Sequence, residues 1–138
     1  MIVLDTNVVS ELMRPQPSAE VVVWLTAQDA PGLRTTAITV AEISYGIRRL
    51  PRGRRRDGLA AIAGELFAGF SDQVLAFDEH TAERYAEIVV QRDRAGRPID
   101  GFDAQIAAIC LSHQATLATR NTRDFEHTGI TTIDPWAT

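Results

Sequence analysis

The stretch Ile2-Val3-Leu4-Asp5-Thr6-Asn7 runs three apolar residues straight into a carboxylate. The apolar run is too short for a helix and reads as a buried strand that delivers one charge at its end. An aspartate left unpaired at such a place is costly, so it needs a partner. In an open parallel sheet, ligands bind beyond the carboxyl ends of the strands, which makes Asp5 point at the expected crevice.

Beyond this run, the chain alternates between strand and helix patterns. Helical character over 7–14 is stopped by Pro15 and Pro17, and a second short helix covers 19–27. Pro31-Gly32 turns the chain into an extended segment over 33–37. The spacing of Ile43, Ile47 and Leu50 predicts a helix over 40–50, and another follows over about 57–70. Val74-Leu75-Ala76-Phe77 is the next strand, and Asp78 is placed to cap a long helix over 79–94 that Gly96 and Pro98 end. A helix over 102–113 is apolar nearly all round, hence buried. Thr116-Leu117-Ala118-Thr119 returns to the sheet, 121–125 is a polar turn, and Thr131-Thr132-Ile133 is an edge strand. This alternation implies an α/β fold, a parallel sheet covered on both faces.

With 138 residues, a single domain over 1–138 is expected. No stretch approaches the roughly 20 apolar residues of a spanning helix, and Asp5 interrupts the place where a signal peptide needs an apolar core. The expectation is a soluble, cytoplasmic protein. The single cysteine, Cys110, lies in an apolar run, so an intrachain disulfide or a thiolate cluster is excluded. Net charge is -4, yet every basic side chain except the histidines is arginine, and six of the 14 fall in Arg48-Arg49-Leu50-Pro51-Arg52-Gly53-Arg54-Arg55-Arg56. Local charge, not net charge, then decides partners.

Four acids fall at strand ends or helix starts: Asp5, Glu42, Asp103 and Asp124. In an α/β sheet such positions share one edge and can converge. Clustered carboxylates raise one another's pKa, and a cation keeps several of them ionised together. Oxygen donors without a histidine or cysteine cluster suit Mg²⁺, with Mn²⁺ as the alternative, and Mg²⁺ completes its shell with water and substrate phosphates. A phosphodiester substrate and hydrolysis by metal-activated water follow. Each acid also has a plainer reading. Thr39-x-x-Glu42 fits a capping box, Asp103 fits a simple N-cap, and Asp124 fits an exposed turn.

These residues resemble a known family. Leu4-Asp5-Thr6-Asn7, Thr39-x-x-Glu42, Phe102-Asp103-x-x-Ile106-Ala107-Ala108 and Thr119-Arg120-Asn121-Thr122-Arg123-Asp124-Phe125 are similar, in order and spacing, to PIN-domain ribonucleases. Within that family the chain looks most like the VapC and FitB toxins of bacterial type II toxin-antitoxin pairs, including Ser10-Glu11 and the closing Asp134-Pro135-Trp136. The resemblance implies a three-layer α/β/α fold with a central parallel sheet of four to five strands. It implies a Mg²⁺-dependent endoribonuclease with Asp5, Glu42 and Asp103 as metal-site acids. It also implies a homodimer held inactive by a cognate antitoxin, as a heterotetramer or larger, which meets operator DNA only through that antitoxin. The family's fourth acid falls at the position of Asn121 or of Asp124; Asp124 is carried over, with Asn121 and Thr6 as site neighbours.

Arg120 and Arg123 flank the expected site and are placed for RNA phosphates. The arginine segment either steers RNA, meets an acidic stretch of the antitoxin, or is a solvated helix end. Haloacid-dehalogenase-like phosphatases also put an aspartate after strand one, but they use Asp-x-Asp and a lysine. Here the second position is Asn7 and the chain has no lysine. The non-enzyme alternative is a PIN-fold binding protein that acts only through its antitoxin and DNA.

Overall fold

The computed structural model describes residues 1–137. Among them, five strands form one sheet: β1 (Ile2–Leu4), β2 (Leu33–Thr36), β3 (Val74–Leu75), β4 (Thr116–Ala118) and β5 (Thr131–Ile133). The order is β3-β2-β1-β4-β5, and every neighbouring pair is parallel. The chain moves from β1 outward to β2 and β3, then crosses back to β4 on the other side of β1. That reversal opens a crevice at the carboxyl ends of β1 and β4, as parallel sheets do wherever strand order reverses.

Pleating divides the strands between two cores, because successive side chains point to opposite faces. Leu4 and Ala118 face one layer, where α1 (Thr6–Leu12), α2 (Ala19–Thr26), α3 (Ala37–Arg48) and α4 (Arg54–Phe70) contribute Val8, Trp24, Ile47 and Ala63. Val3 and Leu117 face the other, with α5 (Glu79–Arg94) and α6 (Gly101–His113) supplying Ile88, Ile106 and Cys110. The expected α/β/α layering is therefore present, with five strands. In α6 the residues Ile106, Ala107, Ala108, Ile109 and Cys110 have no solvent exposure at all, in keeping with its all-round apolar sequence. No helix among the described residues is long and apolar enough to cross a membrane.

Several boundaries differ from the sequence reading, each for a local reason. α3 begins at Ala37, three residues earlier than its apolar spacing indicates, because the Thr36 hydroxyl accepts from the Thr39 amide and starts the helix there. Glu42 consequently sits in the second turn, so the capping-box reading does not hold. α6 is capped by Asp100, whose Oδ2 accepts from the amides of Phe102 and Asp103, so Asp103 is not the N-cap and its carboxylate is spared that task. α4 begins at Arg54, not near Asp57, which places three arginines in its first turn. The polar turn at 121–125 contains a 3-10 turn over Thr122–Phe125, and β3 is two residues shorter than its apolar run. Asp78 does cap α5, with Thr81 completing the reciprocal pair of bonds.

Candidate active site

Asp5 follows the last residue of β1 and caps α1: its Oδ1 accepts from the Thr6 amide at 2.8 Å. The β1–β4 register pairs Leu4 with Ala118, which brings the next residue of each strand, Asp5 and Thr119, side by side. The Thr119 hydroxyl donates to Asp5 Oδ2 at 2.8 Å. It also accepts from Asn7 Nδ2 at 3.2 Å and from the Asn121 amide at 3.1 Å, while Asn7 Oδ1 accepts from the Arg120 amide at 3.2 Å. Two strand ends from opposite parts of the sequence are thereby stitched together around one buried carboxylate.

Thr6 links the second acid. Its hydroxyl donates to Glu42 Oε1 at 2.8 Å and lies 3.1 Å from the hydroxyl of Thr39. Glu42 from α3 is therefore tied to the residue next to Asp5. Asp103, at the third position of α6, joins them: Asp5, Glu42 and Asp103 line a single open pocket of about 570 Å³ together with Thr6, Asn7, Arg120, Asn121 and Trp136. Arg120 carries its guanidinium 4.9 Å above the centre of the Trp136 ring, a cation–π contact that holds it on the pocket wall.

The electrostatics match that crowding. Burial, followed by the charges of Asp5, Asp100, Asp124 and Glu42, pushes Asp103 up to about 7. Asp5 is raised above the usual carboxylate range, chiefly by burial, although its bonds from Thr119 and Thr6 oppose the rise. Glu42 is raised by burial and by Asp5 and Asp100, against the bond from Thr6. Three acids that resist simultaneous ionisation make a site where a positive charge is the missing counterpart.

The donor set is oxygen only. Among the described residues no three His, Cys, Asp or Glu side chains are drawn into a ready-made cage. Mg²⁺ needs no such cage, since it retains several waters and takes only one or two carboxylates directly. The residues present fit such an ion.

The remaining candidates divide. Asn121 lines the pocket, whereas Asp124 is exposed and outside its lining, although its charge acts on both Asp5 and Asp103. Arg120 lines the pocket and Arg123 does not. Sequence reasoning missed Thr119, Thr39, Asn7 and Asp100 as individual contributors. Thr119 was within reach, since it follows β4 as Asp5 follows β1. It also missed Arg92, buried in α5, which donates from Nη1 to the carbonyls of Asp124 (2.6 Å) and Glu126 (3.1 Å) and so fixes the turn that carries Asp124.

The chain is similar over nearly its whole length to known proteins. The PIN domain model matches residues 2–130. The plasmid stability protein StbB of Pseudomonas syringae pv. tomato is 42% identical over 137 residues, covering 99% of each chain. The VapC ribonuclease Y4jK of Sinorhizobium fredii is 39% identical over 137 residues, covering 99% of this chain and 98% of its own. A solved structure of FitAB bound to an IR36 DNA fragment contains a chain 37% identical, which superposes with a TM-score of 0.91 over 99% of this chain and 96% of that one. With the family model spanning nearly the full length and relatives this close over the whole chain, the protein belongs to the PIN domain family.

Proposed function

We propose that this chain is the toxin of a type II toxin-antitoxin pair, an endoribonuclease that requires Mg²⁺ (or Mn²⁺) and works in the cytoplasm. The observation that carries the proposal is the convergence of Asp5, Glu42 and Asp103 on one open pocket with oxygen donors only. The similarity to a VapC ribonuclease supports RNA as the substrate, and the similarity to a chain of the FitAB–DNA complex supports an antitoxin partner, through which operator DNA is met. The active form is a homodimer, and the antitoxin-bound form is a heterotetramer or larger.

Asp5, Glu42 and Asp103 would hold the ion, with Asp124 adding negative charge from the rim and Asn121 lining the pocket. Bound there, Mg²⁺ supplies charge neutralisation and an acidified water for phosphodiester hydrolysis. The protein's own part is positional. Thr119 and Thr6 lock the Asp5 carboxylate in one orientation, and Thr6 does the same for Glu42, so the acids need little reorganisation when charge develops. With its carboxyl pushed up to about 7, Asp103 is poised between its two protonation states near neutrality, and a bound cation would favour the ionised one. Arg120, set by Trp136, offers a guanidinium to a phosphate oxygen at the pocket wall.

The test is incubation of purified protein with structured RNAs in Mg²⁺ or in chelator, comparing wild type with Asp5→Ala. Cleavage at defined positions that requires both metal and Asp5 is expected. Equal cleavage by the variant removes the proposal, and release of inorganic phosphate from small monoesters would point to a phosphatase instead.

A further inference from the structure

The arginine segment has no role in the site just described, yet its placement is specific. Among the described residues none of the six arginines at 48–56 enters an ion pair. Those at 54–56 occupy the first turn of α4, where the helix dipole disfavours cations, so their concentration there costs stability. Charge gathered against its own electrostatic interest is free to meet an anion from outside.

Two grooves gather these arginines. One groove of about 690 Å³ runs from Thr6 and Glu42 over an apolar floor that includes Ile43 and Ile47, to a rim bearing Arg49 and Arg55. Glu42 and Arg49 are seven residues apart along α3 and its C-cap, so they share a helix face about 10 Å apart along its axis. A second groove of about 600 Å³ shares Ile47 with the first and is lined by Arg48, Arg52 and Arg56, with Asp57 as the one acid on its lining among the described residues. The two grooves make a cationic path that starts at the acid pocket and leads away between α3 and α4.

We infer that this path is an RNA-backbone track: the strand whose phosphodiester sits at Asp5, Glu42 and Asp103 continues through the two grooves, with successive phosphates on Arg49 and Arg55 and then on Arg48, Arg52 and Arg56. The inference rests on the ribonuclease reading. Guanidinium groups match phosphate bidentately, and a strand carrying one charge per nucleotide fits a row of arginines without acidic partners leading out of the cleavage pocket. Phe67 is the one aromatic side chain on the lining of the two grooves among the described residues, too few for a stacking row, so the track grips the backbone and supplies affinity rather than sequence choice.

The test uses the wild type and two charge-neutral variants, R49Q/R55Q and R48Q/R52Q/R56Q, checked to be at least as stable as the wild type in thermal unfolding, as relief of the cations at the start of α4 implies. Binding of a fluorescein-labelled oligouridylate of about 12 nucleotides, within the usual range of single-strand site sizes, is followed by anisotropy in chelator across a salt series. Every arginine–phosphate pair removed lowers the slope of log affinity against log salt by about 0.7, so R49Q/R55Q should lower it by about 1.4 and bind roughly tenfold more weakly. In Mg²⁺, KM for long RNA should rise about tenfold as the weaker binding is carried over, while kcat holds. Bis(p-nitrophenyl) phosphate, too small to reach the arginines, is the control. Unchanged slope and KM overturn the track and leave the nuclease intact. A slope lowered in the variants, with a wild type that cuts neither substrate, leaves the track standing and removes the nuclease. Variants that bind RNA normally but release the antitoxin show that the segment meets protein, and the track falls.

Discussion

Replacing Asp103 with asparagine should make the metal-free protein more stable while abolishing cleavage. The magnitude follows from the acid cluster. Asp103 ionises near pH 3.8 when unfolded and at about 7 when folded, because burial and the charges of Asp5, Asp100, Asp124 and Glu42 oppose its ionisation. Between those values the folded state binds the extra proton, so this group's contribution to stability falls as pH rises from 3.8 and is fully lost above 7. A shift of about three pH units corresponds to an upper limit of about 4 kcal/mol. Asp103 is only half-buried, and solvent screening reduces the usable part to roughly 1–2 kcal/mol. Asparagine escapes that penalty but forfeits a favourable carboxylate in the first turn of α6, worth about 0.3–1 kcal/mol. The net gain at pH 8 in chelator is about 1 kcal/mol, or roughly 3 °C in Tm for a chain of this size. As pH falls the advantage should shrink, to roughly a third of the full effect at pH 5, because the unfolded carboxyl is still ionised there, and it should vanish only below 3.8, where both states hold the proton. Adding Mg²⁺ at pH 8 should raise the wild-type Tm and move the variant much less. Thermal unfolding by circular dichroism at pH 5 and 8, with chelator or Mg²⁺, reads all four conditions. A variant less stable than wild type at pH 8 in chelator, or raised equally by Mg²⁺, would refute the claim that these acids repel one another and await a cation.

Other outcomes follow from individual contacts. Thr119→Val removes the hydroxyl that donates to Asp5 and accepts from Asn7 and Asn121; a loss of about 1–3 kcal/mol in denaturant titration and a fall in kcat are expected, since a buried carboxylate is left short of a donor. Arg92→Leu orphans the carbonyls of Asp124 and Glu126 and should cost about 2–4 kcal/mol, with hydrogen exchange showing the 122–126 turn loosened first. Ile109→Ala in the solvent-free centre of α6 should cost about 2–5 kcal/mol in denaturant titration, without selectively altering Mg²⁺ dependence. Asp124→Asn should leave cleavage measurable while shifting its pH profile toward lower pH, because one of the charges raising Asp5 and Asp103 is gone; complete inactivation would assign Asp124 a direct place at the ion.

Much of the molecule was readable one element at a time. The apolar run 2–4 ending in Asp5, the solid apolar stretch of α6 and the Asp78 cap of α5 each depend on interactions within a few residues, so local pattern was sufficient to locate them. Asp5, Asp103 and Asp124 were visible for the same reason, each standing near the junction of two elements, whereas Glu42 lies in the second turn of α3 and was visible only through its spacing from Thr39. What local pattern does not contain is register. Only the pairing of Leu4 with Ala118 makes Thr119 the neighbour of Asp5, and only the packing of α3 beside α1 turns Thr6 into the link between Asp5 and Glu42. The distinction between Asn121 on the pocket wall and Asp124 on its rim depends on a 3-10 turn anchored by Arg92, some 30 residues earlier in the chain. Which residues carry charge and which segments are buried could be read from the chain unaided, because those follow from composition and period. Which charges share a pocket could not, because distances of a few ångströms between residues a hundred positions apart are set by strand register and helix packing.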